Sequence, residues 1–252
     1  FLRPQWTKMV TTMTRNAFMN VVTGASSGIG KGVTLALAER GERVVAVARR
    51  AAVLHDLETA SDGLIQAVPA DVMTIGGRQA VVEAVGGVPI RSLTHAAGSL
   101  VQPASWVGLQ PEELESHLAV HVVAPIALSS ALLQQGVVNR VAFIDSYSST
   151  TPRVGWSAYS IVKAAAQMSA RSAASELADT RVVRVFPGAV DTPVLQTIIN
   201  SQVPAADAYR SIREAGHVSD PMHIGREIVD ILLDADDGEL DATASWTVGH
   251  PA

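Results

Sequence analysis

The chain has 252 residues, no cysteine, 48% hydrophobic residues and a formal net charge of −5. That length and apolar content suit one large α/β domain with a sizeable core, and the lack of cysteine excludes disulfides, thiolate metal sites and a cysteine nucleophile. An acidic chain with no basic block after its first fifteen residues is a poor partner for nucleic acid; no membrane span and no metal site are expected, and cysteine-free composition fits the reducing cytoplasm.

Residues 1–17 carry Arg3, Lys8 and Arg15 and no acid. They read as a basic extension, expected to be disordered. It reads as a targeting remnant, a cloning scar or sequence ahead of a mis-assigned start, with Met9 and Met13 both just before the first strand. The folded domain is placed at residues 18–252. Phe18 to Thr23 is a short apolar run that meets Gly24-Ala25-Ser26-Ser27-Gly28-Ile29-Gly30. A helical pattern of Val33, Leu35, Ala36, Leu37 and Ala38 follows and stops at Gly41. A strand, a glycine turn and a helix in this order direct backbone N–H groups at a phosphate. Gly24 permits the tight turn, Gly28 the close approach and Gly30 the packing of helix on strand, with Ser26, Ser27 and Ile29 completing the loop. The other reading is an ordinary strand-to-helix loop.

Arg43 to Ala48 forms a second strand ending in Arg49-Arg50. An acid at this strand end bonds the ribose 2′-hydroxyl of NAD, whereas a basic residue accommodates the 2′-phosphate of NADP. Arg49 therefore points to NADP(H), unless both arginines are solvated loop charges. Leu64 to Val68 is a third strand leading to Asp71-Val72, and a helix spans about Ile75 to Val85. Ser92 to His95 is a fourth strand running into Ala96-Ala97-Gly98, small residues against which a ring can lie. Pro111 opens a helix reaching about Gln134, with a kink expected at Pro125. Val137 to Asp145 is a fifth strand, with Ser146 at its end.

The next helix places Tyr159 and Lys163 at i and i+4, a phenol and an ammonium on one face. The lysine is expected to lower the tyrosine pKa and make it a general acid/base. Arg181 to Phe186 is a sixth strand, followed by Pro187-Gly188. The stretch from Pro193 to His217, broken by Pro204, lacks a clean period and reads as a mobile helical flap. Pro221 to Leu233 is a helix and Ala244 to Val248 a last strand. Strands alternating with helices imply an α/β fold: one doubly wound parallel sheet of Rossmann type, with helices on both faces. Ligands then gather at the C-terminal strand ends, where the glycine turn, Arg49, Gly98, Ser146 and Pro187-Gly188 meet.

Thr23-Gly24-x-x-x-Gly28-x-Gly30, Asp71-Val72, Ala96-Ala97-Gly98, Ser146, Tyr159-x-x-x-Lys163 and Pro187-Gly188-x-x-x-Thr192, in this order and spacing, resemble the short-chain dehydrogenase/reductase family over residues 18–248. Gly155-Trp156-Ser157-Ala158-Tyr159 and Pro187-Gly188-Ala189-Val190-Asp191-Thr192 are similar to its sepiapterin reductase and benzil reductase branch. The resemblance implies that Tyr159 donates the proton in carbonyl reduction, and that Lys163 tunes it and bonds the nicotinamide ribose. Ser146 would orient the carbonyl, Asp71 hold the adenine and Thr192 the carboxamide. Val72, Ala97, Gly98, Pro187, Gly188 and Val190 would line the cofactor's path. It also implies a homodimer or homotetramer, with Ala166, Ser169, Ala170, Ala173 and Ala174 allowing close helix approach.

Two positions depart from the pattern. His121 stands where the family has a relay asparagine, as a working substitute or a buried structural histidine. Ser245 stands where sepiapterin reductases have a pterin-anchoring acid, which favours a less polar ketone. The expected function is NADPH-dependent reduction of a ketone or vicinal dicarbonyl. The alternative is a non-enzymatic NADP(H)-binding redox sensor.

Overall fold

The computed structural model describes residues 17–99, 106–242 and 245–249. The basic extension, Ala17 excepted, lies outside the described residues, as does Ala244 of the last expected strand. The first half runs β1 (Met19–Thr23), α1 (Gly28–Glu39), β2 (Val44–Ala48), α2 (Ala51–Thr59), β3 (Ile65–Pro69), α3 (Ile75–Val85) and β4 (Ile90–His95). The second begins α4 (Pro111–Leu118), a π turn (Ala119–Val123), α5 (Ala124–Gln135), β5 (Val138–Ile144), α6 (Ser157–Glu176) and β6 (Arg181–Phe186). It ends α7 (Pro193–Asn200), α8 (Pro204–Glu214), α9 (Pro221–Asp234), α10 (Asp237–Ala242) and β7 (Trp246–Thr247).

These strands form one parallel sheet in the order β3-β2-β1-β4-β5-β6-β7. Every residue of β1 and β2 is buried, as strands covered on both faces require. Successive side chains serve opposite layers. Val44 and Ala46 pack with Leu37 of α1 and with Ile224 and Ile228 of α9. Val45 and Val47 pack with Val81 of α3 and with Leu128 and Leu132 of α5. Gly32 and Gly225 bring α1 and α9 together at the backbone: a Cβ on Gly32 would lie 2.0 Å from the Pro221 carbonyl oxygen.

Three segments add to these expectations. The kink assigned to Pro125 is a π turn just before it, where the Ala124 N–H reaches back to the Ala119 carbonyl. Pro125 has no N–H to offer, and the wider turn places His121 on the sheet rim. The segment Pro111–Gln135 is, by length and composition, apolar enough to cross a membrane; here Ala124, Leu128 and Leu132 are buried against the sheet, the placement of a core helix. The stretch after Thr192 is helical and divided at Pro204, as expected, into two helices each opened by proline in its first turn, where a missing N–H costs nothing. Leu195, Ile198, Ile199 and Ala206 are buried from them.

Candidate active site

A cavity of about 760 Å³ opens at the C-terminal strand ends, beside the β1–β4 junction where the strand order reverses. That is where open α/β sheets take ligands. Apart from Gly30, every residue named above as catalytic or cofactor-binding lines it. Gly30 sits behind the wall, and a Cβ there would be 2.4 Å from the Gly24 carbonyl oxygen.

The glycine turn has the geometry of a phosphate cradle. Gly24 has φ +71°, and a Cβ on it would meet the Ala96 carbonyl oxygen at 2.5 Å. Gly28 has φ +53° and faces the Thr192 methyl at 2.9 Å from the same imagined atom. Ser27 is the N-cap of α1 but makes no side-chain cap. The first-turn N–H groups are therefore left for a ligand at the positive end of the helix. A dinucleotide diphosphate fits this loop.

At the end of β2 the structure separates the two arginines. Arg49 is exposed and lines the cavity. Arg50 is the one tied to the glycine turn: its Nε donates to Ser26 Oγ at 3.1 Å and its NH2 to the Ser26 carbonyl at 2.8 Å. Strand-end position points to Arg49 alone; the hydrogen bonds to Ser26 add Arg50. Asp71 Oδ1 accepts the Met73 N–H at 2.9 Å. Thr192 Oγ1 accepts the Leu195 N–H at 3.3 Å as the N-cap of α7, and its hydroxyl hydrogen is available to donate.

Thr23 supports the Ala96-Ala97-Gly98 wall, its Oγ1 accepting the Ala96 and Ala97 N–H groups at 3.2 and 3.1 Å. Gly98 lies under the His121 ring, 2.7 Å from its Cε1 to an imagined Cβ. His121 Nε2 is 3.0 Å from the Ser99 carbonyl oxygen and 3.3 Å from the Ser99 nitrogen. The carbonyl can only accept, so the shorter contact places the proton on Nε2 and leaves Nδ1 as an acceptor. Burial first, then the Lys163 charge, depresses the His121 pKa to about 3, so the ring is neutral. His95, also on the cavity lining, is likewise held near 3 by burial; it bonds Ser129 Oγ at 2.8 Å and its ring lies 5.1 Å from that of Phe143.

Ser146 caps the short turn Tyr147–Ser149, its Oγ accepting the Ser148 N–H at 3.2 Å. Its hydroxyl is close enough to the Tyr159 phenol to favour the ionised form of that phenol. Lys163 Nζ donates to the Ile144 carbonyl at 2.9 Å and stands 5.9 Å from the Tyr159 ring centre. The expected lowering of the tyrosine pKa is reversed. Burial raises it, the Ser146 hydroxyl opposes that, and the Asp145 charge adds to it. Burial also lowers Lys163 to about 8, against the pull of Asp145. In this geometry desolvation is the largest cause at both groups.

Beyond Tyr159 the wall is aromatic and apolar. Trp156 meets the Tyr159 ring edge-on at 5.2 Å and stacks on Tyr209 of α8 at 5.8 Å. Arg153 lies 5.6 Å over the Tyr209 ring, and Leu195, Ile198 and Ile212 complete this side. The arrangement sets a protonated phenol and a hydroxyl on the wall of the cavity, with an apolar chamber beside them for a second reactant. Ser245 precedes β7 and does not line the cavity.

The profile of the family described as short chain dehydrogenase matches residues 19–202. Sepiapterin reductase of Bos taurus is 32% identical over 215 residues, covering 77% of this chain and 80% of the bovine protein. Benzil reductase ((S)-benzoin forming) of Bacillus cereus is 21% identical over 245 residues, covering 84% of this chain and 92% of that protein. Among solved structures, the KRED1-Pglu enzyme superposes with a TM-score of 0.82 at 27% identity, covering 91% of this chain and 99% of the other.

Proposed function

The chain belongs to the short-chain dehydrogenase family, and from that premise we propose that it uses NADPH to reduce a ketone or vicinal dicarbonyl to an alcohol. The observation that carries this reading is the meeting of Ser146, Tyr159 and Lys163 on one wall of the cavity. NADPH, when bound, supplies the hydride. Tyr159 holds its proton because burial raises its pKa, and gives it to the carbonyl oxygen as negative charge develops there. Ser146 donates to the same oxygen and orients it. Lys163, fixed on the Ile144 carbonyl, supplies positive charge beside the phenolate that remains. His121 offers a neutral ring acceptor, Nδ1, that can hold a water on the Lys163 side of the site.

The cofactor is assigned to this chain's residues in order along the cavity. Gly24, Ser26, Ser27, Gly28 and Ile29 take the diphosphate, and Arg49 with Arg50 the 2′-phosphate. Asp71 and Val72 take the adenine. Ala97, Gly98, Pro187, Gly188 and Val190 bracket the nicotinamide, with Thr192 on its carboxamide. The apolar chamber around Trp156, Tyr209 and Ile198, and the position of Ser245 outside its lining, favour an aryl or alkyl dicarbonyl over a pterin. NADPH consumption on a panel of diketones, sepiapterin, quinones and aldehydes tests the reading; diketones should turn over fastest. No oxidation above the blank on any of them would contradict it.

We assign the protein a homodimeric or homotetrameric state. Val123 and Ile126, at the π turn and the start of α5, and Met168 on α6 are 57%, 51% and 56% exposed. Ala170 packs inward against the sheet instead, so the surface available to a second copy is the Met168 side of α6. Light scattering at micromolar concentration should give a multiple of the 26.4 kDa chain mass; a monomeric mass would count against the assignment.

A further inference from the structure

Asp145 is the first residue past β5, with a side chain only 2% exposed. The sequence offers no reason to single it out. In the fold it holds four groups at once. Its N–H donates to the Val185 carbonyl at 2.8 Å, in register with the sheet. Its Oδ1 accepts the Ser146 N–H at 2.7 Å. Its Oδ2 accepts Gln167 Nε2 at 3.1 Å and faces Arg184 NH1 at 3.4 Å.

The contacts close a ring. Gln167 Nε2 also donates to Ser149 Oγ at 2.8 Å, and Ser149 Oγ donates to the Ser146 carbonyl at 2.6 Å. The ring therefore runs from Asp145 through Gln167, Ser149 and Ser146 back to Asp145. Gln167 is one helical turn past Lys163 and two past Tyr159, on the same face of α6. Lys163 hangs from the carbonyl of Ile144, the residue just before Asp145. One carboxylate thus fixes the segment bearing Ser146 to the helix bearing Tyr159 and Lys163.

We propose that Asp145 is a positioning residue for this active site, setting the distance between the Ser146 loop and the Tyr159 helix and supplying the negative charge that Lys163 and Tyr159 face. A carboxylate suits the task because it accepts from three donors, which a neutral side chain of that size cannot. Arg184 from β6 offsets its charge in the buried setting. The groups around it are Arg184 from β6 and Lys163 and Tyr159 from α6, with His121 from the π turn facing Lys163 across the site. Removing the charge lowers the pKa of both Tyr159 and Lys163, since Asp145 raises each.

The proposal rests on the reductase reading, so one arm of its test needs no turnover. The chain has three tyrosines, and 13Cζ labelling resolves their titrations by NMR, with Tyr159→Phe identifying one. Asp145→Asn should move the Tyr159 midpoint to lower pH. Asp145→Asn with Gln167→Glu, which returns a carboxylate to the ring, should move it back. In the kinetic arm, Asp145→Asn should lower kcat at least ~10-fold and bring the alkaline loss of activity to lower pH, with KM for NADPH unchanged. Gln167→Leu opens the ring but keeps the charge, so kcat should fall several-fold while the Tyr159 midpoint stays. A folded Asp145→Asn protein with the parent's Tyr159 midpoint would overturn the charge role. Parent kcat in Gln167→Leu would overturn the positioning role even where Asp145→Asn fails to fold. A parent that reduces no carbonyl defeats the reductase reading and leaves the NMR result to judge Asp145.

Discussion

Lys163 stands 5.9 Å from the centre of the Tyr159 ring, yet its ammonium donates at 2.9 Å to the Ile144 carbonyl. The helical spacing puts both side chains on one face, and the end of β5 decides where the lysine points. Its charge is held close to the phenol without a direct bond to it.

The first prediction follows from that lysine. Burial lowers its pKa to about 8, so it is protonated below that pH and loses its charge as pH rises through it. Reduction should therefore decline from about pH 8 upward, and Lys163→Met should lower turnover across the range and weaken NADPH binding. A kcat–pH profile of both proteins checks this; a parent profile flat through pH 8 to 10, within the usual reach of an essential acid, would contradict it.

The cofactor's 2′-phosphate gives the second. NADP should bind more tightly than NAD by about 1.5–3 kcal/mol, the range for hydrogen bonds to charged groups, or roughly 10- to 150-fold in Kd. Arg49→Ala should erase most of that gap, because Arg49 is exposed on the cavity wall. Arg50→Ala should weaken both cofactors, since Arg50 also braces Ser26 in the shared phosphate loop. Equal dissociation constants for NAD and NADP in the parent protein would refute the assignment.

His121 gives the third. Its neutral ring presents one nitrogen to Ser99 and leaves the other as an acceptor. His121→Asn, which keeps a polar group there, should stay within a few-fold of parent activity. His121→Phe should lose on the order of tenfold or more, as for a displaced proton-transfer partner. Parent-like turnover in the phenylalanine variant would make the histidine a packing residue.

What the sequence made legible was local. Gly24, Gly28 and Gly30 are close in the chain, and their spacing states a backbone shape. Tyr159 and Lys163 are one turn apart, and helical period alone pairs them. The apolar runs of β1 and β2 read as central parallel strands because both faces are covered. What stayed hidden depends on distant pairing. Asp145, Gln167 and Arg184 meet only because β5 pairs with β6 and α6 crosses above them. The choice between Arg49 and Arg50 is a one-residue question at a strand end, where adjacent side chains diverge. α2 has no clean apolar period, burying only Leu54 and Leu57. The π turn before Pro125 left no mark beyond the proline itself, whereas the break at Pro204 that divides the helical stretch after Thr192 was legible.

The most direct test of the account is Tyr159→Phe, assayed on one diketone with NADPH. The change removes the hydroxyl while keeping the ring that meets Trp156. It should cut kcat at least ~10²-fold, the lower end for a positioned acid, and leave the NADPH dissociation constant close to that of the parent. A Tyr159→Phe protein that keeps the parent kcat would show that the proton comes from elsewhere, and the mechanism assigned to Ser146, Tyr159 and Lys163 would fall with it.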